Sequence, residues 1–117
     1  MKKDDTVTID AAGTSMGRVA AAAAKALQGK HRADYVARLV SGTKVAIVNA
    51  GKTRHADGKL ASTSTRYSGH PGGLTHETLK AEIARKGYYE AYRRVVRGML
   101  PKNTLRDKVI QNLTVTD

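Results

Sequence analysis

The chain has 117 residues, of which 40% are hydrophobic and only 4% aromatic; 21 Lys and Arg outweigh 10 Asp and Glu, for a formal net charge of +11. That length fits one domain, residues 1–117, with an aliphatic and alanine core because Phe and Trp are absent. The lack of cysteine excludes disulfides, thiolate catalysis and cysteine-held metal sites. No stretch approaches the ~18 apolar residues of a membrane span.

Met1-Lys2-Lys3-Asp4-Asp5 leads into no apolar run of the kind a secretory signal carries. Val7-Thr8-Ile9 alternates as a half-buried strand does. Gly13-Thr14-Ser15 interrupts it and offers a capping hydroxyl for a helix over Met16–Gln28. Met16, Val19, Ala20, Ala23 and Leu27 share one face of that helix, with Arg18 and Lys25 opposite. Gly29 stands where a helix end wants a left-handed residue. The basic cluster Lys30-His31-Arg32 follows, and Ser41-Gly42 reads as a turn.

Val45-Ala46-Ile47-Val48 is a continuous apolar run, expected to be a strand buried on both faces. Strand, helix and strand then suggest a βαβ unit with a parallel sheet. Asp57-Gly58 is a turn signal. Ala61 to Gly73 is rich in Ser, Thr and Gly and reads as an ordered or partner-ordered loop, extended around Arg66 and Tyr67. Thr75 to Asn112 is expected to be mainly helical, with Gly87 separating two helices. Tyr88, Tyr92, Val95 and Met99 fall on one face of the second, and Arg93, Arg94 and Arg97 on the other. Pro101 ends it, Asn103 can cap a last helix carrying Leu105, Val109 and Ile110, and Leu113-Thr114-Val115 suits a terminal strand.

A pI near 10.2 in so small a chain is the electrostatic footprint of a nucleic-acid binder. The arginine face fits phosphate, whose planar bidentate acceptors match guanidinium; the alternative is a solvated face with Glu90 as partner. Tyr67-Ser68-Gly69-His70-Pro71-Gly72-Gly73 could lie flat against RNA, with Tyr67 and His70 stacking on bases and Arg66 adding charge; on composition alone it is an ordinary surface loop. Enzymatic patterns are missing. Gly51-Lys52-Thr53 resembles the end of a phosphate-binding loop, but Ala46 stands where that loop needs glycine. Gly13 and Gly17 lack the spacing of a dinucleotide fingerprint. His31, His55, His70 and His76 show no metal-ligand spacing, and the acids are scattered.

Several motifs in order resemble the universal ribosomal large-subunit protein 13 family. They are Ile9-Asp10-Ala11, Gly17-Arg18, Gly29-Lys30-His31, Val48-Asn49-Ala50, the Tyr67–Gly73 segment, and Arg97-Gly98-Met99-Leu100-Pro101-Lys102-Asn103. The last two are long and specific. The resemblance implies a three-layer α/β/α domain around a small, mainly parallel sheet. It implies a structural constituent of the large subunit, without catalytic site, metal, cofactor, membrane or small-molecule substrate. Partners would be large-subunit ribosomal RNA and neighbouring ribosomal proteins, with a role in early assembly.

Residues carried over as RNA contacts are Arg18, Lys30, His31, Arg66, Tyr67, Ser68, Gly69, His70, Pro71, Gly72, Gly73 and the stretch from Gly98 to Asn103 with Lys102, and the basic side chains Arg32 and Arg106 are added as candidates beside them. The helical-face reading adds Arg93, Arg94 and Arg97. The chain departs from the family pattern at Thr6-Val7, Ala33, Gly87 and Leu105-Arg106-Asp107, and it is shorter than typical bacterial members. With no transit-like leader before Val7, a cytoplasmic bacterial ribosome is expected ahead of an organellar one. The competing reading is a regulatory RNA-binding protein acting off the ribosome, which would need a recognition helix or an RNP-type aromatic pair. An RNA-processing enzyme would need a clustered acid/base or metal constellation, and the sequence holds neither.

Overall fold

β1 (Thr6–Asp10), β2 (Lys44–Val48) and β5 (Leu113–Val115) form a parallel sheet with β2 in the centre. The structure, a computed structural model, describes residues 5–117, so the reading of the Met1–Asp4 leader lies outside the described residues. β3 (Thr63–Tyr67) and β4 (Leu74–Thr78) make a separate antiparallel hairpin. The helices are α1 (Met16–Gln28), α2 (Leu79–Met99) and α3 (Arg106–Ile110). The α/β class and the small parallel sheet are as the sequence led one to expect.

Register puts Val7, Val45 and Leu113 in one row and Ile9, Ile47 and Val115 in the next, all on one face of the sheet. These are the sheet residues that join the core. Both crossovers step the same way across the sheet, and right-handed connections then carry their helices over the same face. Accordingly α1, α2 and α3 pack against one another. Among the described residues the layering is sheet against helices, with Thr8, Ala46, Val48 and Thr114 on the open side, so two layers stand where the family resemblance implied three. Ala46 and Val48 stay partly exposed, which corrects the expectation that β2 is buried on both faces. A continuous apolar run cannot distinguish a strand covered twice from one covered once when the second face carries small residues.

α1 has the expected bounds, and its Met16, Val19, Ala20, Ala23 and Leu27 are buried. The alanines hold the helix close to its neighbours. Ser15 takes the extended cap conformation, but its hydroxyl makes no cap hydrogen bond, contrary to expectation. The backbone there pairs instead with Arg54 in a parallel bridge. Gly29 ends the helix at φ 75°, where the Gly29 and Lys30 amides donate to Ala26 and Lys25 carbonyls. A Cβ at Gly29 would meet the Ser41 Cβ at 2.7 Å. Ser41 sits so close because its hydroxyl donates to the Leu27 carbonyl at 2.9 Å, tying the following loop to the helix end.

The region expected to be loop and then helix is in fact the hairpin, and the extended stretch expected around Arg66 and Tyr67 is the end of its first strand. Its strands run Thr63–Tyr67 and Leu74–Thr78, and helix begins only at Leu79. Polar Ser, Thr and His residues conceal a strand whose two faces are both largely exposed. Thr78 caps α2, accepting from the Ala81 amide at 3.2 Å. Inside α2, Gly87 adopts φ 79° and ψ 177°, breaking the helix where expected. Only glycine populates that region readily. No atom would touch a Cβ there, so the cost of Gly87→Ala is backbone strain alone. It is expected to lower stability by about 1–2 kcal/mol in urea unfolding, and an unchanged midpoint would count against the strain.

Beyond the break, Ala91, Tyr92 and Val96 are buried while Met99 is exposed, so the apolar face is rotated slightly from the one expected. Leu100 supplies the burial expected of Met99. Tyr92 is fully enclosed, and its hydroxyl bonds to Thr53 Oγ1, which donates on to the Ala50 carbonyl at 2.7 Å. Burial pushes the Tyr92 hydroxyl pKa up, so it stays a neutral donor. Leu100 is extended ahead of Pro101, as a residue before proline must be to leave a helix. Asn103 Oδ1 accepts from the Leu105 amide at 3.1 Å, securing the entry to α3.

Candidate nucleic-acid interface

The hairpin is fastened to α2 by polar contacts. Glu77 on β4 accepts from Arg66 on β3 at 2.9 Å and from Arg85 on α2 at 2.9 and 2.7 Å. The hydrogen bonds from Arg85, with the charges of Arg85 and Arg66 beside it, hold the Glu77 carboxyl below its ordinary value of 4.5. Such a group stabilises the fold above its ordinary pKa, and that contribution is lost as pH falls through the depressed value. Melting temperatures are therefore expected to fall less steeply from about pH 5 to about pH 3 in Glu77→Gln than in the unmodified chain. Parallel acid profiles would remove Glu77 as a tie between hairpin and helix.

Arg94 makes the second tie, donating to Ser64 Oγ on β3 at 3.1 Å. Its Nη1 also lies 2.7 Å from Glu82 Oε2, an ion contact that falls short of hydrogen-bond geometry. Glu82 is only 3% exposed, and Arg94 is the cation that faces it. Arg97 reaches Asp107 on α3 at 3.3 Å. The expected alternative partner of this face, Glu90, is thus replaced by Glu82 and Asp107. Sequence spacing pointed to the nearest acid on the same helix, whereas one partner lies on another element and the other across the Gly87 break.

Arg66, Lys86, Arg93, Arg94 and Arg97 line one open groove of about 420 Å³. Glu82, Glu90 and Asp107 are the acids on its walls, so five cations face three carboxylates. Among the described residues Lys86 and Arg93 make no ion pair. The groove therefore carries an excess of positive charge, and guanidinium pairs best with planar, bidentate anionic acceptors such as carboxylate and phosphate. Lys86 was not singled out in the sequence; its place next to the break at Gly87, which turns the helix axis, hid its relation to the arginines.

The Ser68–Gly73 turn joins the hairpin strands, closed by a 2.9 Å bond from the Gly73 amide to the His70 carbonyl. Tyr67 and Leu74 are register partners at its base and are 67% and 54% exposed. Ser68, Gly69, His70, Pro71 and Gly72 are exposed and Gly73 partly so. An exposed aromatic beside a narrow turn is a shape that stacks on bases.

The remaining sequence candidates fall elsewhere. Arg18 lines a recess at the start of α1 with Arg54, a residue the sequence reading missed because the bridge to Ser15 joins positions far apart. Lys30 and Lys102 are exposed. His31 contacts Asp5 at 3.2 Å, and Arg32 pairs with Asp34 at 3.1 Å. Asn103 and Arg106 share a recess with Tyr35 and Leu39 from the loop after α1. The Lys30–Arg32 and Pro101–Arg106 segments, distant in sequence, are thereby brought to one end of α1.

Among the described residues no group of three or more His, Asp or Glu side chains could hold a metal ion. No helix of the described residues is long and apolar enough to cross a membrane.

Residues 4–116 match the family model described as ribosomal protein L13. The chain is 37% identical over 112 residues to the large ribosomal subunit protein uL13 of Nitrosococcus oceani, covering 95% of this chain and 78% of that protein. It is 41% identical over 108 residues to uL13 of Treponema pallidum, covering 92% and 75%. It is 40% identical over 110 residues to uL13 of Thermus thermophilus, covering 93% and 78%.

Proposed function

The chain belongs to the ribosomal protein L13 family, and on that premise we propose that it is built into the large ribosomal subunit by binding large-subunit ribosomal RNA. It is a structural ribosomal protein and not an enzyme. The observation that carries the RNA reading is the groove in which Arg66 from the hairpin joins Lys86, Arg93, Arg94 and Arg97 from α2, with more cations than carboxylates. A surface of net charge +11 repels itself until a polyanion neutralises it. The groove takes phosphate, the turn Tyr67–Gly73 fits against bases and 2′-hydroxyls, and the segments Lys30–Arg32 and Lys102–Arg106 extend the basic surface. The chain acts as one domain in this reading, with the hairpin and helices presenting a single RNA-facing surface. Early assembly, contact with neighbouring large-subunit proteins and residence on a cytoplasmic bacterial ribosome belong to the same proposal.

Sedimentation of a cell lysate at low and moderate salt tests it. Comigration with the large subunit at both salts is the expected result. Migration as free protein at both would overturn the proposal and bring forward a regulatory RNA-binding role off the ribosome.

A further inference from the structure

The end of α1 carries a recess that the phosphate groove does not explain. It lies between the loop after α1 and the Leu100–Val109 segment and has a volume of about 130 Å³. A cavity of roughly 150 Å³ holds one benzene-sized ring. Its floor and walls are apolar: Leu27 is fully buried, and Leu39 and Leu105 stand beside it. Tyr35 lines it and is 41% exposed, which places an accessible aromatic residue at its wall.

Its polar margin is unusual for a purely hydrophobic slot. Gln28, Asn103 and Arg106 all line it. The Asn103 amide uses its oxygen on the Leu105 amide, which leaves its two N–H donors without a partner among the described residues. The Gln28 amide and the Arg106 guanidinium likewise make no hydrogen bond among the described residues. An adjoining recess shares Gln28, Tyr35 and Leu39 and is also lined by Arg32. Arg32 Nη1 is shut off from solvent and has no hydrogen-bond partner. Donors and an amide thus surround a slot for one flat ring, inside a strongly basic surface.

We propose that this recess binds one unstacked nucleobase from a single-stranded part of the RNA, its ring against Tyr35 and its edge at Gln28, Asn103 and Arg106. The inference rests on the RNA-binding reading above and adds a base-reading site to it. An apolar side chain from a neighbouring protein would fill the slot equally well by shape, but it would leave those donors unpaired at a cost. A base has carbonyl and ring-nitrogen acceptors for them.

The test uses the full ¹⁵N-labelled chain titrated with cytidine, uridine or adenosine, with ribose and N-acetyl-tryptophanamide as probes lacking a base. Saturable shifts of the Gln28 and Asn103 side-chain amides and of Tyr35 and Leu39 are expected with nucleosides. Ribose should bind at least roughly tenfold more weakly, since stacking supplies most of the affinity. Asn103→Asp keeps the acceptor for the Leu105 amide but removes the free donors, and should weaken nucleoside binding roughly tenfold while the chain stays folded. Equal shifts from ribose, stronger shifts from the tryptophan probe, or an unaffected Asn103→Asp would each overturn the site. Filter binding of the same sample to large-subunit ribosomal RNA separates the two readings. A chain that binds the RNA but shows no nucleoside shifts loses this site alone; one that binds neither loses the RNA reading as well.

Discussion

Changing Arg93 and Arg97 together to Ala is expected to weaken binding to large-subunit ribosomal RNA on the order of a hundredfold, with little loss of stability. Each guanidinium that meets a phosphate contributes a charge-assisted hydrogen bond and releases a counterion. The slope of log affinity against log salt should therefore fall by about 2 in the double variant. Both side chains line the groove. Arg93 has no ion-pair partner among the described residues, and the Arg97–Asp107 contact is between two well-exposed groups. Exposed pairs of that kind contribute only about 0–1 kcal/mol. A salt titration by filter binding checks both quantities. Affinity and slope equal to those of the unmodified chain would remove the groove from the RNA surface.

Arg94 does not belong in that experiment, although the sequence places it on the same face. Arg94→Ala is expected to destabilise the protein by about 2–3 kcal/mol. Its loss would strand the Glu82 carboxylate, which is 3% exposed and has Arg94 as its ion partner at 2.7 Å. It would also cut the bond to Ser64 that ties β3 to the helix. Removing one member of a buried pair costs about 3–5 kcal/mol. The lower figure applies because the Arg94 side chain is 44% exposed and water can reach the gap. Urea unfolding of Arg94→Ala and of Arg94→Ala with Glu82→Gln separates the causes. Removing the stranded charge should restore more than half of the loss. A double variant as unstable as the single one would show that the carboxylate is not what suffers. A triple replacement of Arg93, Arg94 and Arg97 would therefore confuse lost RNA contacts with partial unfolding.

The contrast between these arginines marks a limit on what local pattern can say. Periodicity alone put Arg93, Arg94 and Arg97 opposite the apolar side chains, and all three do line one groove. It could not tell a cation without an ion partner from one already committed to a buried acid. Glu82 reads as another surface glutamate in a helical window, and only packing against the hairpin and core makes it buried. The same blindness hid Lys86, which joins the groove next to the break at Gly87, and Arg54, which a backbone bridge to Ser15 brings into the same recess as Arg18.

Where a segment's own chemistry was decisive, its structure was legible in the amino-acid order. α1 and β5 have the expected bounds because an alanine-rich amphipathic run ending in Gly29, and an apolar alternation at the terminus, leave few alternatives. The break at Gly87 and the stop at Pro101 follow from backbone freedom at one and its absence at the other. The excess of positive charge is compositional and survives any fold. The hairpin was decided elsewhere: Thr63–Tyr67 and Leu74–Thr78 have no strong alternation, and become strands because they can pair with each other and dock on α2 through Glu77 and Arg94. The one-sided burial of β2 likewise depends on the direction of both crossovers. Charge, helix length and chain breaks are local properties, set by nearest neighbours along the chain. Which cations converge, which acid is buried and which face of the sheet is covered depend on contacts between residues far apart in sequence, and only the tertiary structure decides them.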